Sequence, residues 1–385
     1  MPDRVYLDWN ATTPLRPEAK AAMVAALELS GNPSSVHTEG RKARRLVEDA
    51  REAVAGAVGA RPQDVVFSSG GTEANALALT PGLVRGASAP VTRLLVSAIE
   101  HASVLAGGRF APEAIKVIHV TRAGLVDLDH LRALLGEGPP ALVSVMLANN
   151  ETGAIQPVAD IASIVHAAGG LLHVDAIQAF GKIPFDLASS QADLLTLSAH
   201  KIGGPKGVGA LVLADGVQGL DALLRGGGQE QGRRAGTENV AGISGFGAAT
   251  RAAMAALTAD SARVRDLRDQ LENGLRQTPD MVVFSEQVKR LPNTVLFAIP
   301  GMKAETAVIG FDLAGVAVSS GSACSSGKVQ PSHVLAAMGY RPDVTQAAVR
   351  LSLGWSTSHA DVELVLKAWR KLRDTLVKGE RRNTA

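Results

Sequence analysis

Short apolar runs at residues 64–68, 93–98, 115–120, 141–147, 171–174 and 193–198 have the length and composition of strands buried on both faces. Between them, 127–135 and 158–168 repeat apolar residues at helical spacing. Alternation of this kind predicts an α/β fold, a mostly parallel sheet between two layers of helices. In such a sheet ligands bind beyond the carboxyl ends of the strands, so the loops there are the first place to look for function. From 239 to about 276 the chain becomes a long Ala- and Leu-rich helical pattern, after which strands at 294–299 and 348–353 alternate with helices again. A second, smaller α/β domain is expected there. Its boundary is set near residue 255, within about ten residues, because no breaker marks it. The first dozen residues could join either domain.

Composition narrows the classes. A chain of 385 residues suggests two or three domains at roughly 150 residues each. With 46% apolar and 20% charged residues it is ordinary globular material. Lys and Arg number 39 against 37 acids, a net +2, too weak a field to gather nucleic acid or an anionic membrane. Aromatics are few (3 Trp, 2 Tyr, 8 Phe), so base-stacking platforms are scarce. The basic cluster Arg41, Lys42, Arg44 and Arg45 is interleaved with Glu39, Glu48, Asp49 and Glu52 and reads as a solvated helix face. A single Cys excludes an internal disulfide framework. With a start that lacks a signal-like apolar stretch, this points to a reducing, cytoplasmic setting. The longest uncharged run, 313–327, has 15 residues and is rich in Ser and Gly, so no membrane span is expected. Neither a P-loop nor a strand-linked dinucleotide fingerprint occurs.

Three strand ends carry candidate chemistry. Ser68-Ser69-Gly70-Gly71-Thr72-Glu73-Ala74-Asn75 leaves a strand and opens a helix, a form suited to a phosphate through free N–H groups, helix dipole and the Thr72 hydroxyl. An ordinary helix cap is the competing reading. Leu171-Leu172-His173-Val174-Asp175 delivers an acid at a strand's carboxyl end, with Gln178 three residues on; Asp175 could equally cap a helix. Ser198-Ala199-His200-Lys201 ends another strand, and a lysine in such a crevice can form a Schiff base once burial lowers its pKa. Together a phosphate cup, an acid for a ring nitrogen and a lysine for an aldehyde make a pyridoxal 5'-phosphate (PLP) site. Glu100-His101 would add an imidazole over the ring and a general base. The only cysteine, Cys324, lies in a Ser- and Gly-rich stretch with almost nothing to bury. A reactive thiolate and a small core residue are both open for it.

In order and spacing these segments resemble the bacterial cysteine desulfurases of the iron-sulfur assembly group. These belong to the class V aminotransferases of PLP fold type I. The resemblance covers nearly the whole chain. It rests on Tyr6-Leu7-Asp8, Ala11-Thr12-Thr13, Gly31-Asn32-Pro33-Ser34-Ser35, Gly71-Thr72-Glu73, Glu100-His101, Asn149-Asn150-Glu151, His173-Val174-Asp175, Ser198 to Lys201, Arg234-Ala235-Gly236-Thr237 and the Cys324 segment. It implies a homodimer, with a large PLP domain at 13–255 and a small domain made of 1–12 and 256–385. It further implies that Lys201 binds the PLP aldehyde, Asp175 pairs with the ring nitrogen, Gln178 and Asn150 reach the ring hydroxyl or substrate, and His101 stacks on the ring. Gly71, Thr72, Ser198 and His200 would hold the phosphate, with Thr237 reaching in from the partner subunit. Arg350 resembles the clamp for the substrate carboxylate; a domain-packing ion pair is its alternative. L-cysteine would then yield L-alanine and a persulfide on Cys324 for a sulfur-acceptor protein such as an iron-sulfur scaffold. Cys324 could also ligate a metal cluster shared with that partner.

Rivals remain at this level. A same-fold aminotransferase needs no thiol, and a non-catalytic partner would not need Lys201, Asp175 and His101. The chain departs from the group at Ala199 and Gly203, and residues 375–385 lack the ending associated with scaffold docking. The last departure leaves the acceptor open.

Overall fold

The computed structural model describes residues 4–321 and 331–381, with side chains to residue 373; Cys324, and with it any metal-ligand role, lies outside the described residues. A seven-stranded sheet runs in the order Val65–Ser68, Gly209–Leu213, Leu194–Ser198, Leu171–Asp175, Ala141–Met146, Arg93–Ser97, Ile115–Ile118. All but Gly209–Leu213 point the same way. The strands anticipated from the apolar runs therefore exist within a residue or two of their expected ends. One strand was hidden in the sequence behind the Gly-rich turn after Lys201. Gly209–Leu213 inserts antiparallel between Val65–Ser68 and Leu194–Ser198, pairing Gly209 with both Ser68 and Ser198. Gly209 allows this close approach, since a Cβ there would sit 2.6 Å from the Gly70 carbonyl carbon.

The second layer is smaller. Its antiparallel sheet runs Val282–Val283, Thr294–Ala298, Val349–Ser352, Ser319–Ser320. The N-terminal Val5–Tyr6 pairs with Val316–Ala317, and Asp8 bridges to Ser352. Val5 and Leu7 thus join a separate apolar cluster with Phe297, Phe311 and Trp369.

One helix joins the two cores. Val240–Leu275, capped where Asn239 accepts the Gly242 N–H, buries Ile243, Phe246, Ala249 and Ala253 in the large core. It then buries Val264, Leu267, Leu271 and Leu275 in the small one. By length and composition it could cross a membrane, but more than half of its apolar window is buried in the protein. Gly247 allows it to approach Ala50 of helix Thr38–Ala57, where a Cβ would meet the Ala50 Cβ at 2.7 Å. On the outer face of that helix Arg41, Lys42, Arg44 and Arg45 are exposed, and Arg45 pairs with Asp49.

Candidate active site

Because the six co-directional strands end at one edge of the sheet, the loops after them converge. A cavity of about 320 Å³ there is lined by Asn10, Gly71, Thr72, His101, Asn150, Asp175, Gln178, Ser198, His200, Lys201 and Arg350. Every cofactor and substrate residue expected from the sequence among the described residues lines it, except Thr237. Thr237 is exposed on a separate cavity with Ser69, Glu230 and Arg234. The size lies at the lower end of ordinary small-molecule sites. A second cavity behind Lys201, lined by Trp9, Arg16, Lys182 and Trp355, measures about 50 Å³ and suits only water.

Several atoms in the large cavity lack what a phosphate and a ring would provide. Helix Gly71–Ala78 begins without a side-chain cap, so its first N–H groups remain to be satisfied. Beside it Ser198 is buried, and its Oγ has no partner among the described residues. A Cβ on Gly71 would meet the tip of the Ile177 side chain at 2.3 Å, so a larger residue there would push Ile177 aside at the start of the helix. Asp175, 5% exposed, accepts from Asn75 Nδ2 at 2.9 Å and from the Ile177 N–H at 3.0 Å. Burial nevertheless raises its pKa. A protonated pyridine nitrogen is the cation that would reverse this. The residues present therefore fit PLP.

Lys201 follows the strand Leu194–Ser198 and donates to the carbonyls of Asn10 and Ala11, the latter at 2.8 Å. His101 caps the turn Ala102–Leu105, its Nδ1 accepting the Ser103 N–H at 3.1 Å and lying 2.8 Å from the Ser103 hydroxyl. Neutral imidazole so held carries its proton on Nε2. Burial, together with the Lys201 and His333 charges, lowers its pKa against the pull of Asp175, which favours that neutral form. His200 is likewise pushed down to about 4, first by burial and then by Lys201 and other lysines.

Behind Asp175 runs a buried chain that motif reading did not pick out. Asn75 Nδ2 also donates to Ser103 Oγ, and Asn75 Oδ1 accepts from Thr196 Oγ1 at 2.7 Å. Thr196 contacts His173 Nε2 at 3.3 Å, and His173 Nδ1 meets Ser144 Oγ at 2.8 Å. Alternating polar positions inside apolar strands, Ser144, His173 and Thr196, were the available signal. Lys182 was also missed. It is half-buried beside the site, donates to Asn10 Oδ1 and to Gln178 Oε1 at 2.8 Å, and the burial of its ammonium drives its pKa well below the usual lysine value.

Arg350 makes the ion pair of its second reading and also lines the cavity. It is 2% exposed, donates Nη2 to Asp8 Oδ1 at 2.7 Å and Nη1 to the Asn150 carbonyl at 3.0 Å. Its Nε is buried without a partner among the described residues while the side chain lines the cavity, leaving a donor for a ligand anion.

The aminotransferase class-V family matches residues 5–365. A cysteine desulfurase of Cereibacter sphaeroides is 45% identical over 97% of this chain and 97% of its own length. The cysteine desulfurase IscS of Dictyoglomus turgidum is 39% identical, over 98% and 96%. Among solved structures, a NifS-like protein from Rickettsia africae superposes with a TM-score of 0.87 at 36% identity, covering 96% of this chain and 99% of that one. With the PLP-fitting cavity at the sheet edge, these matches place the chain in the aminotransferase class-V family, alongside its cysteine desulfurases.

Proposed function

We propose that the protein is a PLP-dependent cysteine desulfurase that converts L-cysteine to L-alanine and leaves the sulfur as a persulfide on Cys324. The observation that carries this reading is the one cavity that gathers Lys201, Asp175, His101 and an Arg350 Nε without a partner among the described residues. PLP, when bound, supplies the aldehyde for the substrate amine and the electron sink for its α-carbon.

The chain's own residues do the rest. Gly71, Thr72, Ser198 and His200 hold the phosphate, while Asp175 fixes the ring nitrogen with Asn75 behind it. Gln178 and Asn150 orient the ring hydroxyl and substrate. Arg350 binds the substrate carboxylate through its Nε edge. With PLP bound, Lys201 Nζ would hold its aldehyde and serve as the acceptor of the substrate's α-proton. His101, with its proton on Nε2, stacks on the ring and acts as donor rather than base. The Cys324 thiolate attacks the substrate sulfur, so an S–S bond forms as the C–S bond breaks and the carbon regains a proton. L-cysteine plus the enzyme thiol thus gives L-alanine plus the enzyme persulfide, with no external oxidant.

The same reading assigns a large PLP domain at 13–255 and a small domain of 1–12 and 256–385. It also assigns a homodimer in which Thr237 completes the partner's phosphate site. Exposed Val24, Leu27, Leu29 and Val36 support an apolar interface. The persulfide passes to an acceptor such as an iron-sulfur scaffold, and the lone cysteine suits a cytoplasmic enzyme.

The test is PLP-loaded protein with L-cysteine and a reductant, following alanine and sulfide in wild type and Cys324→Ser. Equal yields that vanish in the variant, with the PLP absorbance band retained, are expected. Bound PLP without alanine would favour the aminotransferase instead.

A further inference from the structure

The two ends of the segment that carries Cys324 flank one buried carboxylate, which bonds to one of them. Gly321 immediately precedes that segment, donates its N–H to Ala348 O at 3.0 Å, and lies where a Cβ would be 3.3 Å from Glu151 Oε2. On the far side Ser332, 1% exposed, donates its hydroxyl to the same Glu151 Oε2 at 2.5 Å. That hydroxyl in turn accepts the Leu335 N–H at 3.0 Å, capping helix His333–Ala337. His333 adds a second tie, its Nε2 within 3.0 Å of the Glu100 carbonyl.

Glu151 itself is held on a rigid turn after strand Ala141–Met146. Asn149 Oδ1 accepts the N–H groups of both Glu151 and Thr152 at 2.9 Å. The preceding residue, Asn150, lines the active-site cavity and is gripped by Arg350 through its carbonyl. A 3%-exposed carboxyl is costly to bury, and this one contributes nothing to the cavity lining. Burial raises its pKa to about 7 against the pull of Ser332 and Arg350. What it does touch is the base of the nucleophile's segment.

We propose that Glu151 is a positioning residue: through Ser332 it anchors the far end of the Cys324 segment, beside Gly321 at the near end, to the turn that also presents Asn150 to the substrate. The inference rests on Cys324 being the sulfur acceptor. It assigns Glu151 no contact with substrate or PLP. Its effect is on where the thiol is delivered, because a misplacement of about 1 Å costs about a hundredfold in such a step.

Because Cys324 is the only cysteine, iodoacetamide alkylation reports on it alone. Glu151→Ala, Ser332→Ala, the double variant and Glu151→Gln are compared as PLP-loaded enzymes. Readouts are alkylation rate without L-cysteine, the L-cysteine-induced change of the PLP band, and alanine formation. Expected for each Ala variant are an alkylation rate changed about threefold or more, alanine kcat lowered about 10- to 100-fold, and an unchanged PLP response. The double variant should be no worse than the poorer single, and Glu151→Gln, which keeps an acceptor for Ser332, should recover most of the rate. Wild-type alkylation in both Ala variants, or loss of the PLP band in parallel with activity, would overturn the proposal. If Cys324→Ser still makes alanine, the acceptor assignment fails instead, and the alkylation result still stands on its own.

Discussion

The sheet edge proposed to receive the ring and the edge proposed to receive the substrate are built differently. Around Asp175 the polar atoms form a closed chain through Asn75, Thr196, His173 and Ser144, all from strands of one sheet or the helix packed on it, and all buried. Around Arg350 the contacts come from remote segments. Asp8 is 342 residues away along the chain, and Asn150 is 200. Arg350 Nε lacks a partner among the described residues, and Glu151 titrates near 7 beside it. In the first region the side chains behind Asp175 are hydrogen-bonded to one another before any ligand arrives, an arrangement suited to hold a ring still. The second keeps an open donor and joins two cores, so stability and binding are coupled there.

The largest effect that tests this contrast is at Arg350. Arg350→Ala strands the half-buried Asp8 and the Asn150 carbonyl, and because Asp8 keeps some solvent the loss should be at or below the low end of a buried pair, about 3 kcal/mol of stability. It should also raise KM for L-cysteine far more than it lowers kcat, since the carboxylate contact is made in the ground state as well. Arg350→Lys should recover little, because one ammonium cannot serve Asp8, Asn150 and a substrate at once. Thermal melts with and without PLP, beside steady-state kinetics, check both parts. A variant that melts like wild type would remove the coupling.

A smaller effect is expected at Asn75. Asn75→Ala leaves Asp175, Thr196 and Ser103 short of a partner, a loss of about 1–3 kcal/mol. PLP should bind more weakly, as titration of the absorbance band would show, while KM for L-cysteine on the loaded enzyme stays unchanged. If KM moves instead, the two regions are not separable.

How much of this could be read from the chain differs by region for the same reason. The ring site was legible because each residue sits at the end of an apolar run, where period and turn residues locate strand ends: Asp175 after Leu171–Val174, Lys201 after Leu194–Ser198. The long helix from 240 to 275 was legible from its composition and spacing. The antiparallel strand Gly209–Leu213 was not, since five apolar residues after glycines carry no sign of direction. Nor were Lys182 and the Glu151–Ser332 contact, whose partners are set by packing of the two cores. Arg350 fell between: its motif was recognisable, but not that Asp8 would share its guanidinium.

The last and smallest effect is in the pH dependence of stability, where the two regions should oppose each other. His173, in the satisfied chain, is held by burial at about 3, below its ordinary 6.5. Its contribution is fully present above pH 6.5 and is lost as pH falls toward 3, at up to about 1.4 kcal/mol per pH unit. Glu151 is raised from 4.5 to about 7, so its contribution is fully present below pH 4.5 and is lost as pH rises through 7. Melting curves from pH 5 to 8 should therefore show Glu151→Gln gaining on wild type toward pH 8. His173→Gln should lose least, relative to wild type, toward pH 5. Between 4.5 and 6.5 the contributions of these two groups oppose each other, while His200, pushed down to about 4, adds to the loss toward low pH. If Glu151→Gln instead melts in parallel with wild type at every pH, the carboxyl beside Arg350 is ionised throughout. The substrate edge would then be as settled before binding as the ring edge.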